Sequence, residues 1–312
     1  MPPTDMSQEA TKLRNAMKGF GTREKPLMEV LAHVQDVPHM AKLRQTYHQQ
    51  FNRDLLKDLK DETSGHFEEG LLGLTRGPLD QDVHLLHKAL DGIGTKEHML
   101  NDVLLGRSNA DMNAIKAAYR KQHMRDLKQA IDSDLSMKTE KLFEYVISAQ
   151  RPEESMAINY AEIEDKVDRI YNATEGQTMG HKADPVCQIF AFSSDGQLRA
   201  INLRYTQKYH KELDHVVKHY FTGHMEWALR LMLARAVDRI KSDADQIEDA
   251  MKGIGTHDSL LAERMVKAHS MGKDHMRQVG IAYHKFHGRQ LRDRIHGETH
   301  GNFRDLLVAL CP

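Results

Sequence analysis

Met17-Lys18-Gly19-Phe20-Gly21-Thr22 reads apolar, polar, Gly, apolar, Gly, Thr, and the chain writes this pattern twice more. Leu90-Asp91-Gly92-Ile93-Gly94-Thr95 and Met251-Lys252-Gly253-Ile254-Gly255-Thr256 are the other copies. Each closes a stretch with helical spacing. Ahead of the first, Met6, Ala10, Leu13 and Met17 fall on one helix face, and Thr4 or Asp5 can cap that helix. A single Gly-x-Gly-Thr says little, but three copies at helix ends mark a repeated structural device. Two glycines one residue apart let the backbone turn with positive φ and aim successive carbonyls at one point.

A second pattern supports the repeat. Tyr47, Phe51, Arg53, Asp54 and Leu55 are matched by Tyr119, His123, Arg125, Asp126 and Leu127, and by Tyr205, Tyr209, Lys211, Glu212 and Leu213. Tyr283, His287, Arg289, Gln290 and Leu291 form a looser fourth copy. The tyrosines stand 72, 86 and 78 positions apart, which implies four repeats of roughly 75 residues. The expected boundaries are 1–76, 77–149, 150–235 (a linker with repeat 3) and 236–312. In repeat 1 the pattern predicts five short helices, with Pro26 and Pro38 in first turns and Leu27, Val30, Leu31 and Val34 as one apolar stripe. Repeat 2 follows the same plan from Asp82 to about Ala149. Ser242 with Asp245 reads as a capping box opening repeat 4. Gln150 to Ala161, with Pro152, Glu153, Glu154 and Ser155, reads as a linker dividing the molecule into halves.

Forty-four Lys and Arg against 45 Asp and Glu leave a formal charge of −1. This argues against nucleic-acid binding by bulk electrostatics and against a polybasic anchor, so an anionic membrane would need an added cation. Two cysteines, Cys187 and Cys311, fit a reducing intracellular setting. No signal core and no bilayer-spanning run is present. Few β-branched or aromatic runs occur, so the expected fold class is all-α.

Hard cations take oxygen ligands, and three carbonyls leave a Ca2+ ion short of charge neutralisation. A carboxylate must come from elsewhere in the repeat. Glu62 stands 41 positions after Gly21, Asp134 stands 40 after Gly94, and Glu298 stands 43 after Gly255, each beside a short polar turn. Repeat 3 differs. Its loop reads Glu175-Gly176-Gln177-Thr178-Met179-Gly180-His181, and Tyr220 stands where the acid should be. The acid is present where the glycine pair is present and absent where the pair is lost.

The fourfold plan, the Gly-x-Gly-Thr loops and the distant acids resemble an annexin, along essentially the whole chain to Leu306-Leu307-Val308-Ala309-Leu310-Cys311. The resemblance implies a curved disc of four repeats with about five helices each. It implies Ca2+-dependent docking on anionic phospholipid through convex-face loops of repeats 1, 2 and 4. Carried over, the ligands would be the carbonyls of Met17, Gly19 and Gly21 with Glu62, then Leu90, Gly92 and Gly94 with Asp134, then Met251, Gly253 and Gly255 with Glu298. Accessory sites would pair Thr22 with Glu24, Thr95 with Glu97, and Thr256 with Asp258. Repeat 3 should bind no Ca2+ in this manner, and Met137 after Ser136 departs from the usual glycine in repeat 2. The N-terminal tail would be very short, since helical spacing begins by Met6.

Phe20, Ile93 and Ile254 sit between the glycines, to press into headgroups or to pack under their own loops. Lys18, Arg23, Lys96 and Lys252 flank the loops, to meet phosphates or simply to be solvated. The expected protein is non-enzymatic, monomeric in solution with possible self-association on membranes, and cytoplasmic until Ca2+ rises. The alternative is a helical-repeat scaffold for protein partners in which Ca2+ is structural. No hydrolytic triad stands out. His215 with His219, and His296 with His300, are four apart and could share helix faces, but no further zinc ligand accompanies them. Protonation of the 20 histidines near pH 6 offers a Ca2+-independent route to an anionic surface. Trp227 reads as core of the last helix of repeat 3.

Overall fold

The computed structural model describes residues 5–312 apart from 20, 35, 92, 93, 136, 178–181 and 254. Its described residues form twenty helices and no strand. The first five are α1 (Ser7–Ala16), α2 (Glu24–Leu31), α3 (Val37–Phe51), α4 (Leu55–Glu62) and α5 (Gly65–Arg76). Then come α6 (Pro78–Leu90), α7 (Glu97–Leu104), α8 (Asn109–His123), α9 (Leu127–Asp132) and α10 (Met137–Ile147). The third set is α11 (Tyr160–Ala173), α12 (Ala183–Ala191), α13 (Asp195–Tyr209), α14 (Leu213–Tyr220) and α15 (Gly223–Val237). The last is α16 (Arg239–Met251), α17 (Asp258–Ser270), α18 (Lys273–His287), α19 (Leu291–Glu298) and α20 (Gly301–Leu310).

The tyrosine pattern marks the core of each set. Tyr47, Tyr119, Tyr205 and Tyr283 are fully buried on the third helix. Each of these helices ends in a left-handed residue, Asn52, Met124, His210 or Gly288, which turns the chain into the short fourth helix. Asp54 and Asp126 then cap the fourth helix by accepting from Lys57 N and Lys128 N. The buried hydroxyls need acceptors. Tyr47 donates to Asp58 at 2.6 Å, Tyr205 to Glu175 at 2.8 Å, and Tyr283 to Glu248. Burial, together with these carboxylates, pushes all three hydroxyls above the usual tyrosine range.

Two compact units emerge: residues 1–81 with 243–312, and residues 82–242. In the first, α5 packs on α17 and α20, and α2 packs on α20. In the second, α10 packs on α12 and α15, and α15 also meets α7. The segment expected to divide the molecule therefore lies inside one unit, and it is tied there by hydrogen bonds. Arg151 N donates to Asn109 Oδ1 at 3.2 Å and its guanidinium reaches Asp195. Glu154 accepts from the N–H groups of Asp195 and Gly196 at 2.7 and 3.1 Å, capping α13. Composition alone reads this stretch as a linker because its partners lie some 40 residues away on either side.

Two further expectations are corrected. α16 begins at Arg239, so Ser242 lies within the helix rather than opening it, and Asp238 accepts from Lys241 N instead. A true capping box occurs elsewhere, between Ser194 and Gln197 on α13. Trp227 is on α15 as expected, but it is 45% exposed and stacks on His98 with ring centroids 4.8 Å apart. Its indole covers a polar ring at the surface while Ala228, Leu229 and Leu231 face inward.

His224 on α15 is buried against Phe143, with Nε2 2.8 Å from Asn101 Oδ1. Its Nδ1 has no hydrogen-bond partner among the described residues and lies 3.7 Å from Glu97 Oε1. Burial, with His98 nearby, lowers its pKa to about 4. A histidine held neutral in the fold but free to protonate when unfolded stabilises the fold fully above its unfolded pKa. That contribution is lost as pH falls from about 6.5 toward 4, and it amounts to on the order of 3 kcal/mol at most. In urea unfolding across pH 7 to 4, His224→Gln is expected to lose less stability than the parent. Parallel pH profiles for the two proteins would refute the assignment.

Candidate functional site

Each loop begins where an apolar helix stops. Met17, Leu90 and Met251 are buried and pin the last turns of α1, α6 and α16, while the following Lys18, Asp91 and Lys252 are exposed. Gly19 and Gly21 then take φ of 107° and 82°, Gly253 and Gly255 take 110° and 86°, and Gly94 takes 82°. No atom lies within 4 Å of a methyl group built on any of these five. Glycine is needed there for its backbone freedom and not for space. Gly92 lies outside the described residues, as do Phe20, Ile93 and Ile254.

One backbone bond closes every loop. Arg23 N donates to Ala16 O at 2.9 Å, Lys96 N to Ala89 O at 3.1 Å, and His257 N to Ala250 O at 2.9 Å. Repeat 3 makes the same closure, Lys182 N to Ala173 O at 2.8 Å, but with two more residues enclosed. Two of the residues expected to meet phosphate help brace the loops. Arg23 Nη2 donates to Asn15 O at 2.7 Å, and Lys96 Nζ donates to Lys88 O at 3.1 Å, each covering an open carbonyl at the helix end. Lys18 and Lys252 remain exposed.

The loop and the distant acid meet through the threonine. Thr22 Oγ1 donates toward Glu62 at 2.9 Å to both the carbonyl and Oε2. Thr95 Oγ1 does the same with Asp134, at 3.1 Å to the carbonyl and 2.6 Å to Oδ2. Thr256 Oγ1 repeats it with Glu298, at 3.4 and 3.2 Å. The residues joined are 40, 39 and 42 positions apart. The same carboxylates were picked out in the sequence by spacing alone. The threonine hydroxyls, expected to serve accessory sites, thus lie on the principal acids.

In repeat 3 the same positions are used differently. Tyr220 ends α14 and packs against the ring of His219. Gly176 is not in the left-handed region, and its N–H donates to Tyr171 O at 2.8 Å. Glu175, beside the loop, is consumed inside the repeat by Tyr205 and Lys211. Thr178 to His181 lie outside the described residues.

Repeat 4 carries a feature that spacing did not reveal. Arg294, four residues before Glu298 on α19, donates Nη1–H to that carboxylate and Nη2–H to Met251 O at 2.8 Å. Its Nε–H reaches Glu248 at 3.3 Å. Burial works against its charge, but hydrogen bonding to Glu248 and the charges of Glu248 and Glu298 keep the guanidinium above its ordinary range.

Two of the accessory acids, Glu97 and Asp258, have histidine neighbours. Glu24 and Asp258 line one polar hollow of about 450 Å³ with Glu62, His66 and His300. His66 Nε2 lies 3.9 Å from Asp258, much as His224 Nδ1 lies 3.7 Å from Glu97. Asp132, Glu140 and Glu144 also bring carboxylate oxygens within 4.8 Å of one another, but Lys128 bonds two of the three. His215 and His219 do share α14, whereas His296 lies on α19 and His300 precedes α20, so that pair shares no helix.

The donor set suits a hard cation: exposed glycines at positive-φ turns and one carboxylate held at the loop, with no thiolate and no converging imidazoles among the described residues. The family model described as Annexin matches residues 8–74, 81–145 and 242–310, leaving the region of repeat 3 unmatched. The chain is 34% identical to annexin C1 of Cryptococcus neoformans var. grubii, over 98% of this chain and 65% of that one. It is 33% identical to annexin A7 of Homo sapiens, over 98% of this chain and 62% of that one. It thus spans a little under two thirds of these relatives. The solved structure of annexin III superposes with a TM-score of 0.92 at 26% identity, covering 100% of this chain and 95% of that one.

Proposed function

The chain belongs to the annexin family, and on that premise we propose that it docks reversibly on anionic phospholipid through Ca2+ held at the loops of repeats 1, 2 and 4, without enzymatic chemistry. One observation carries this reading. In repeats 1, 2 and 4 the loop threonine bonds the carboxylate that spacing singles out, and in repeat 3 both loop and acid are altered.

The chain's own ligands would be the carbonyls of Met17, Gly19 and Gly21 with Glu62, and their counterparts Leu90, Gly92, Gly94 and Asp134, and Met251, Gly253, Gly255 and Glu298. When bound, Ca2+ supplies a shared positive centre whose remaining ligand positions a lipid phosphate can fill. A carboxylate held by one threonine neutralises half of that charge. Lipid-free affinity should therefore be weak, roughly 10⁻⁵ to 10⁻³ M, and lipid and ion should raise each other's affinity reciprocally. Among the described residues no helix is long and apolar enough to cross a membrane, so the proposed attachment is peripheral. Lys18 and Lys252, exposed beside the loops, would meet phosphate in this reading.

The test is co-sedimentation with phosphatidylserine vesicles as Ca2+ is raised, followed by chelator. Binding that appears with Ca2+, reverses with chelator and is missing with phosphatidylcholine alone is expected. A protein that stays in the supernatant at millimolar Ca2+ would reject the proposal.

A further inference from the structure

We propose that Arg294 is a built-in competitor for the repeat 4 loop, its guanidinium held by two of the oxygens a Ca2+ ion would use there, so that the ion binds only by displacing it. This rests on the reading of the loops given above. It concerns which of the three sites fills last.

The geometry is specific to repeat 4. A guanidinium has five donors, no acceptor and a charge that does not titrate in proteins. Here one arm bonds the carboxylate of Glu298 and another bonds Met251 O at 2.8 Å, so the acid half and the loop half of the site are joined by a fixed cation. The side chain is only 15% exposed. Screening by solvent is correspondingly limited, and a divalent ion at the same oxygens would meet strong repulsion. The loop geometry fits this account. Thr256 to Glu298 is the longest threonine–carboxylate bond of the three, as expected if Arg294 shares that carboxylate.

Repeats 1 and 2 lack this plug. The fourth residue of the helix that carries the acid, or in repeat 2 ends just before it, is Arg294 in α19, but it is Asp58 in α4 and Ala130 in α9. Asp58 is turned to Tyr47 and Arg53. Repeat 1 carries the pair with its charges exchanged. Arg14, three residues before Met17, faces Asp58 at 3.8 Å, whereas Glu248, three residues before Met251, faces Arg294 at 3.3 Å. With the basic member on the first helix, no basic side chain reaches Glu62 among the described residues, and none reaches Asp134 in repeat 2. Once displaced, Arg294 keeps Glu248 as a partner, so it remains tethered beside the loop. Repeats 1 and 2 would engage at lower Ca2+, and repeat 4 only as Ca2+ rises further.

The test isolates repeat 4 in the full chain with Glu62→Gln and Asp134→Asn. Ca2+ is then titrated without lipid, and the rise in unfolding temperature reports occupancy. Arg294→Met in this background is expected to need about tenfold less Ca2+ for the same rise, the scale of removing one like charge from a partly buried site. Arg294→Gln, which can still donate to Glu248, should shift the same way and serves if the methionine variant folds poorly. An unchanged or raised Ca2+ requirement in a folded variant overturns the proposal, since it would mean that Arg294 organises the site or ignores it. Glu298→Gln in the same background separates the two levels. If it abolishes the Ca2+ response while Arg294 variants change nothing, the loop reading stands and the competitor fails. If the response survives Glu298→Gln, both fail together.

Discussion

Replacing Glu62, Asp134 and Glu298 together with Gln, Asn and Gln is expected to abolish Ca2+-dependent sedimentation on phosphatidylserine vesicles while leaving the helical fold intact. Each acid supplies the full negative charge that, among the described residues, is bonded to its loop through Thr22, Thr95 or Thr256. An amide keeps an oxygen for the threonine hydroxyl, so the local hydrogen bond survives and only the charge is lost. Neutral carbonyls alone hold a divalent ion poorly. Single variants should shift the Ca2+ midpoint modestly, because two remaining loops still act in concert. Losing all three removes the avidity as well, raising the midpoint on the order of 100-fold or beyond measurement. The readout is pelleted fraction against free Ca2+, with circular dichroism as the fold control. A triple variant that pellets like the parent would show that these carboxylates do not hold the ion.

The second large effect is on stability. Arg235 on α15 is 3% exposed and spends its guanidinium on α7. Nη1 donates to Asn101 O at 3.3 Å and Leu105 O at 2.9 Å, and Nη2 donates to Asp102 Oδ1 at 3.1 Å. Leu105 O lies just past the last residue of α7, where carbonyls have run out of helix donors, while Asn101 O also accepts from Leu105 N at 3.1 Å. Arg235→Met keeps much of the bulk but strips the buried carboxylate and both carbonyls of this donor. Removing one member of a buried charge network typically costs about 3–5 kcal/mol. Urea unfolding should show a midpoint lowered accordingly, with the loss confined to the unit formed by residues 82–242. A change under about 1 kcal/mol would mean that water or neighbouring groups replace the guanidinium at little cost.

Much of the site was legible because its signals are local or strictly spaced. The glycine pairs announce positive φ, and Gly19, Gly21, Gly94, Gly253 and Gly255 adopt it. The tyrosines recur because each repeat buries the same keystone. The division into halves at Gln150 to Ala161, the capping box at Ser242 and the core role for Trp227 did not hold, and for a common reason. Each depended on partners that composition cannot display: Asn109 and Asp195 for the linker, Asp238 for the helix start, and His98 for the indole.

The sequence by itself determined an all-helical chain with four related sets of helices, three Gly-x-Gly-Thr loops and three candidate acids, one set lacking both. Backbone freedom and apolar spacing act over a few residues, so they can be read without knowing the fold. Only the tertiary structure decided that Thr22, Thr95 and Thr256 deliver those acids to their loops, and that a guanidinium from α19 stands between Met251 and Glu298. A charged side chain can reach several partners, and burial and helix packing choose among them. In this chain they turned Arg14 onto Asp58 in repeat 1 and Arg294 onto the loop in repeat 4.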